Sequence, residues 1–216
     1  MFSLSDRQTA TGSPTAGMWL LAVGVAALWL AGCGGKGESV SVDLRAAAPS
    51  APAKSSSELT VAVTDFDDSG LQKGRLGSRS HLWGGTSYFD LSGGKPGEVV
   101  AQLVAENLKK RGWHVEKAGA DGKAQVTLSG KVLELSVNAK SSFGSTDITS
   151  ATKIALEAVN AADGSKVRMT LSGAGSQGVF WFEEEDAQAL LSETIAESLE
   201  KLIATTKVEN NLLRLK

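Results

Sequence analysis

From residue 59 onward the apolar positions follow two rhythms, a period of two that marks strands and a period near 3.6 that marks helices. Residues 59–66 (LTVAVTDF) set Leu59, Val61 and Val63 against Thr60, Ala62 and Thr64, a strand running into a turn. Over 97–111 the period changes. Val99, Val100, Leu103, Val104 and Leu108 form one stripe, Lys109, Lys110 and Arg111 occupy the last turn, and Gly112 stops the helix. A short strand opens at Trp113, His114 and Val115. Residues 124–139 read as a long strand with a phase change: Val126, Leu128 and Val132 share one parity, Leu133, Leu135 and Val137 the other, and a bulge near Gly130 reconciles them. Residues 148–159 alternate again, Ala162, Asp163 and Gly164 turn the chain, and 166–177 return with Val167, Met169 and Leu171 on one face. Residues 184–204 then place Ala187, Leu190, Leu191, Thr194, Ile195, Ser198, Leu199, Leu202 and Ile203 on one helical face, behind the acidic Glu183, Glu184, Glu185 and Asp186 at the positive helix end. The order β-α-β-β-β-β-α predicts an α+β domain over 59–216. In it a mixed, mainly antiparallel sheet carries two helices on one face and is partly open on the other. The closing residues 208–216 dock, fray or meet a partner.

Ahead of residue 59 the pattern is different. Residues 18–31 (MWLLAVGVAALWLA) are uncharged and apolar, too few for the ~20 residues of a spanning helix but of signal-peptide length. Only Arg7, opposed by Asp6, gives the preceding segment basic character. The run closes on Leu30-Ala31-Gly32-Cys33, which resembles the lipobox of bacterial lipoproteins. That resemblance implies a signal peptide over 1–32, cleavage between Gly32 and Cys33, and lipidation of Cys33. Cys33 is the only cysteine, so it has no disulfide to serve. A diacylglycerol plus an acyl group, at ~0.8 kcal/mol per buried methylene, would anchor the chain in the membrane permanently. Gly34 in place of Asp implies sorting to the outer membrane, periplasmic side. Residues 33–58 are rich in Gly, Ala, Pro and Ser and read as a flexible tether spanning roughly 25–30 Å. Within it Val40, Val42 and Leu44 alternate and allow a short edge strand.

Charge and candidate chemistry change this picture little. The net charge is −2, with both signs interspersed, so there is no basic stripe for nucleic acid. Asp65-Phe-Asp67-Asp68-Ser69-Gly70 matches the start of a calcium loop, but Leu76 stands where a bidentate Glu is needed, and an Asx turn accounts for the same residues. Ala174-Gly-Ser176-Gln-Gly178 has the look of a nucleophile elbow, yet no helix follows it directly. His114 reads as a residue on a strand face. No catalytic residue, metal or cofactor is expected. The long glycine-rich stretch 71–96 holds His81, Trp83, Tyr88 and Phe89. It reads either as a binding loop for a glycan, lipid or peptide, with Arg75 and Arg79 as anion contacts, or as a hairpin around Gly84 and Gly85 whose aromatics close the core.

The lipobox, the opening V-A-V-T-D-F-D-D, then V-A-x-x-L-x-x-x-L-K-K-R-G-W, A-x-V-x-L-x-G-x-V-x-x-L, a D-G hairpin and A-L-L-S-E-T-I-A-E-S-L-E-K-L together resemble the YajG-type outer-membrane lipoproteins. The Trp83-Gly-Gly loop has no counterpart in that pattern. The resemblance implies a membrane-anchored, non-enzymatic module that binds an envelope protein, glycan or lipid. An envelope-polymer hydrolase, an apolar-ligand carrier and a transporter accessory are the alternatives.

Overall fold

The computed structural model of the chain describes residues 37–44, 59–72, 74–119 and 124–216. The elements are β1 (Ser39–Val42), β2 (Thr60–Val63), β3 (Arg75–Ser80), β4 (Thr86–Leu91), α1 (Pro96–Lys110), β5 (His114–Lys117), β6 (Val126–Ser142), β7 (Ser145–Asn160), β8 (Lys166–Val179), α2 (Glu184–Thr205), β9 (Thr206–Glu209) and β10 (Leu212–Leu215). This is the α+β fold expected, with more strands than periodicity indicates.

β6 is the spine. One edge pairs antiparallel with β7 along its whole length, and β7 pairs in turn with β8. The other edge is shared. Its first residues pair parallel with β2, and Ala139 and Lys140 pair parallel with the end of β3. From there β4 and β1 continue the sheet on one side, and β5 flanks β2 on the other. The bulge in β6 lies between Val132 and Glu134, slightly beyond Gly130. The extra residue, Leu133, turns outward, while Leu135, Val137 and Ala139 resume the inner face. Gly130 has a separate cause: a Cβ there would stand 2.8 Å from the Phe66 ring and 2.9 Å from Leu156.

Both helices cover one face. Even-numbered side chains of β7 from Thr146 to Asn160 are buried on the face that α2 and the C-terminal hairpin cover, and the odd-numbered set faces out. α1 packs over β2, β5 and β6. Its start is held from outside, where Asp68 Oδ2 accepts the Gly97 amide at 3.0 Å. An ion pair from the buried Arg111 to Glu200 joins the two helices, and Asn107 supports the same guanidinium at 3.1 Å. At the start of α2 the Glu183 amide donates to Asp186 Oδ2 at 2.8 Å, so part of the acidic run caps the helix.

Two further segments join the fold at places where the sequence allows more than one outcome. Ser39–Val42, inside the stretch read as tether, forms a parallel edge strand on β4 and buries Val42 and Leu44, so the fold begins before residue 59. The C-terminus docks as the hairpin β9–β10, turned by Asn210 and Asn211, whose φ values are 52° and 57°. The side chain of the fully buried Asn160 grips it, donating to the Leu213 carbonyl at 3.0 Å and accepting the Leu213 amide at 2.8 Å.

Candidate functional site

Register brings four separate segments to one end of the sheet. Ser142 and Ser145 face each other at the β6–β7 turn, and Thr146 lies opposite Val179 at the end of β8. Ser80, the last residue of β3, lies beside Lys140, so the β3–β4 turn projects past the same end. The N-terminal segment arrives there too, because the Gly37 amide donates to the Thr86 carbonyl at 2.9 Å. Tight turns need left-handed backbone at Gly84, Gly85 and Gly144, which have φ of 84°, 97° and 79°.

The tips of these segments carry apolar side chains that the core does not use. Of the eight large apolar side chains exposed among the described residues, five gather here: Leu82, Trp83, Phe143, Phe180 and Trp181. Trp83 and Phe143 are each 91% exposed. Phe180 and Trp181 meet edge to face at 5.5 Å. Below them the packing is dense. Phe182 stacks under the Arg79 guanidinium at 4.0 Å and lies 6.0 Å from Phe89.

The residues proposed for a binding loop therefore separate. Trp83 is free in solvent, but Phe89 is wholly buried and belongs to the core. Tyr88 lies under the Arg75 guanidinium at 3.9 Å, and Arg75 pairs with Asp90. His81 Nε2 is hydrogen-bonded to Ser87 Oγ at 2.6 Å, and Arg79 Nε donates to Ser141 Oγ at 3.2 Å. The stretch is thus a hairpin whose aromatics partly close the core, with one tryptophan left over. Phe143, Phe180 and Trp181 complete the cluster and were not singled out from sequence. The signal is the run Phe180-Trp-Phe182, three apolar residues that neither the strand ending at Val179 nor the helix after it accounts for.

Other candidates have structural roles. Asp67 Oδ1 accepts the Ser69 amide at 2.9 Å, an Asx turn, and its other oxygen meets Lys131 Nζ at 2.9 Å. Lys131 first, with Ser69 behind it, holds the Asp67 carboxyl well below the usual carboxylate range. No cluster of metal-ligating side chains occurs among the described residues. Ser176 lies inside the continuous strand β8 and faces away from α2, not on a strand-to-helix elbow. Gly173 and Gly175 are small because α2 crosses there: a Cβ on Gly173 would strike the Thr194 carbonyl, and one on Gly175 would lie 2.9 Å from Thr194 Oγ1. His114 is exposed on the edge strand β5. Between the helices and the sheet, a void of about 10 Å³ is lined by Leu108, Leu128, Leu202 and Leu213, among others, too small for an apolar ligand. Gly32 and Cys33 lie outside the described residues.

The sequence matches no family model, and it matches none of the curated proteins. Among solved structures, the chain is similar to a DUF330 protein from Xanthomonas campestris, at 9% identity over 76% of this chain and 92% of that one, with TM-score 0.44. It is similar to the PelC dodecamer subunit from Paraburkholderia phytofirmans, at 16% identity over 69% and 92% with TM-score 0.37. A third similar structure is lipoprotein GNA1162 from Neisseria meningitidis, at 10% identity over 68% and 99% with TM-score 0.34. Lipoproteins are thus among the similar structures, at a level of likeness that transfers no residue role. No helix among the described residues is long and apolar enough to cross a membrane.

Proposed function

We propose that this protein is a lipid-anchored module of the bacterial cell envelope. Cys33 holds it to the outer membrane on the periplasmic side, and it acts by contact with another envelope component rather than by catalysis. The observation that carries this reading is the position of the lipobox relative to the fold. Cys33 stands four residues before Gly37, the first of the described residues and one hydrogen-bonded into the sheet, so a lipid there would fasten the domain itself and not a remote tail. Contact as the mode of action is supported by the fates of the polar candidates. His81, Arg75, Arg79 and Asp67 are each engaged by a neighbouring side chain, and Ser176 has no helix N-terminus behind it.

Mass spectrometry of the mature N-terminus tests the reading. A chain beginning at Cys33 and carrying diacylglycerol is expected, and Cys33→Ser should leave the precursor uncleaved. An unmodified Cys33, or cleavage elsewhere, would count against it.

A further inference from the structure

We propose that the aromatic end of the sheet docks on the bilayer surface, with Trp83, Phe143, Phe180 and Trp181 entering the interfacial layer beside the lipid anchor. The proposal rests on the anchor at Cys33 but makes a separate claim, since an anchored domain can also stand clear of the lipid.

Three observations carry it. The first is reach. From Cys33 to Gly37 there are four residue steps, which at ~3.3–3.6 Å each span at most about 14 Å. The headgroup layer accounts for much of that distance, because a bilayer is about 40–45 Å thick around a hydrocarbon core of about 30 Å. The second is direction. β1 runs parallel to β4, with Ser39 opposite Tyr88, so the chain enters the sheet at the β3–β4 turn, and the end that carries Trp83 is the end drawn to the membrane. The third is chemistry. The side chains presented there are bulky, apolar and largely exposed, and tryptophan prefers the membrane interface because its ring is apolar and its N–H polar. The charges close by include Glu183, Glu184, Glu185 and Asp147 against Lys140 and Arg79, an acidic surplus that does not attract anionic lipid. The occupant is therefore a zwitterionic bilayer surface, met by insertion rather than by charge.

The test uses the full lipidated protein in vesicles of phosphatidylcholine and phosphatidylethanolamine whose acyl chains carry bromine, a short-range quencher of tryptophan. After cleavage before Cys33 the chain retains Trp83, Trp113 and Trp181. Trp113 is half-buried at the start of β5, away from this end, and serves as the internal reference. Brominated lipid should quench the wild-type emission by roughly half, and Trp83→Ser with Trp181→Ser should abolish at least three quarters of that quenching. Salt at 0.5 M should leave it unchanged. Both replaced side chains point into solvent, so the double variant keeps the fold, checked by an unchanged circular dichroism spectrum. Protein that fails to remain with the vesicles defeats the anchor reading. Protein that remains while Trp83 and Trp181 stay unquenched, or are shielded from aqueous acrylamide without lipid quenching as a protein partner would shield them, overturns the docking and leaves the anchor standing. Release of the quenching by salt overturns insertion.

Discussion

Replacing single glycines of β8 by alanine tests how closely α2 lies on the sheet. Gly173, Gly175 and Gly178 sit in one strand, so the backbone adapts equally at each, and the lost freedom of the unfolded chain favours alanine by about 0.4–1 kcal/mol in every case. The surroundings then separate them. At Gly173 the new methyl meets the Thr194 carbonyl, with Thr194 Cγ2 at 3.1 Å, and a helix carbonyl cannot rotate away. α2 must lift, at about 2–3 kcal/mol of overpacking, so the net loss is about 2 kcal/mol. At Gly175 the neighbours are side-chain ends, Thr194 Oγ1 at 2.9 Å, Leu190 Cδ1 at 3.0 Å and Ser150 Oγ at 3.2 Å. They can shift, but the two hydroxyls are hydrogen-bonded to each other at 2.5 Å in a buried site, so a net cost of about 1 kcal/mol is expected. At Gly178 the nearest atom is Asp147 Oδ1 at 3.6 Å, an ordinary contact, and alanine should stabilise slightly. For a domain of this size one kcal/mol moves Tm by about 2–4 °C. Thermal unfolding followed by circular dichroism should therefore place Gly173→Ala about 4–8 °C below wild type, Gly175→Ala between, and Gly178→Ala at or just above it. A Gly173→Ala protein as stable as Gly178→Ala would refute the close crossing.

Asn160→Ala should release the C-terminal hairpin, because it leaves the buried Leu213 amide and carbonyl without partners at a cost of about 2–4 kcal/mol in all; hydrogen exchange at Leu213 should accelerate well before exchange in β7 does. Asp67→Asn should lower stability by an amount that depends on pH. The folded carboxyl titrates below its unfolded value near 3.9, so its contribution is complete above that value and fades as pH falls through the lower folded pKa. The urea midpoints of wild type and Asp67→Asn should differ by a constant amount at pH 5 to 7 and draw together below pH 4; a gap that widens in acid would contradict the Lys131 pairing.

Much of the fold was legible because long elements repeat their signal. The stripe of α1, the nine-residue face of α2 and the alternation of β7 each state one burial direction many times over, and all three sit where the period places them. Short elements state it once or twice. β9 and β10 have four residues each, and their position depends on Asn160, whose partner lies 53 residues away. The bulge of β6 lies beyond Gly130, between Val132 and Glu134, because that glycine answers to the Phe66 ring from another segment and does not mark the bulge. Phe89 and Trp83 look alike in sequence, but the arrival of Phe182 from the β8–α2 connection covers one and leaves the other bare.

The edge strand β1 alters the functional argument most. Its four residues are flanked by linker composition, and local pattern alone favours a tether whose mean span is roughly 25–30 Å. Pairing with β4 removes that freedom by burying Val42 and Leu44 and fixing Gly37 at the β3–β4 turn, which leaves about 14 Å of chain at most between Cys33 and the fold. The same pairing gives the exposed aromatics a common meaning. Trp83, Phe143, Phe180 and Trp181 lie in three separate connections, and none forms an amphipathic face within its own segment. They become one surface only through the registers of β3 with β6, β6 with β7 and β7 with β8, which join residues from distant parts of the sequence. An anchor on a long tether would leave that surface without a direction. A lipid on Cys33, held within a few residues of Gly37 as proposed above, would give it one.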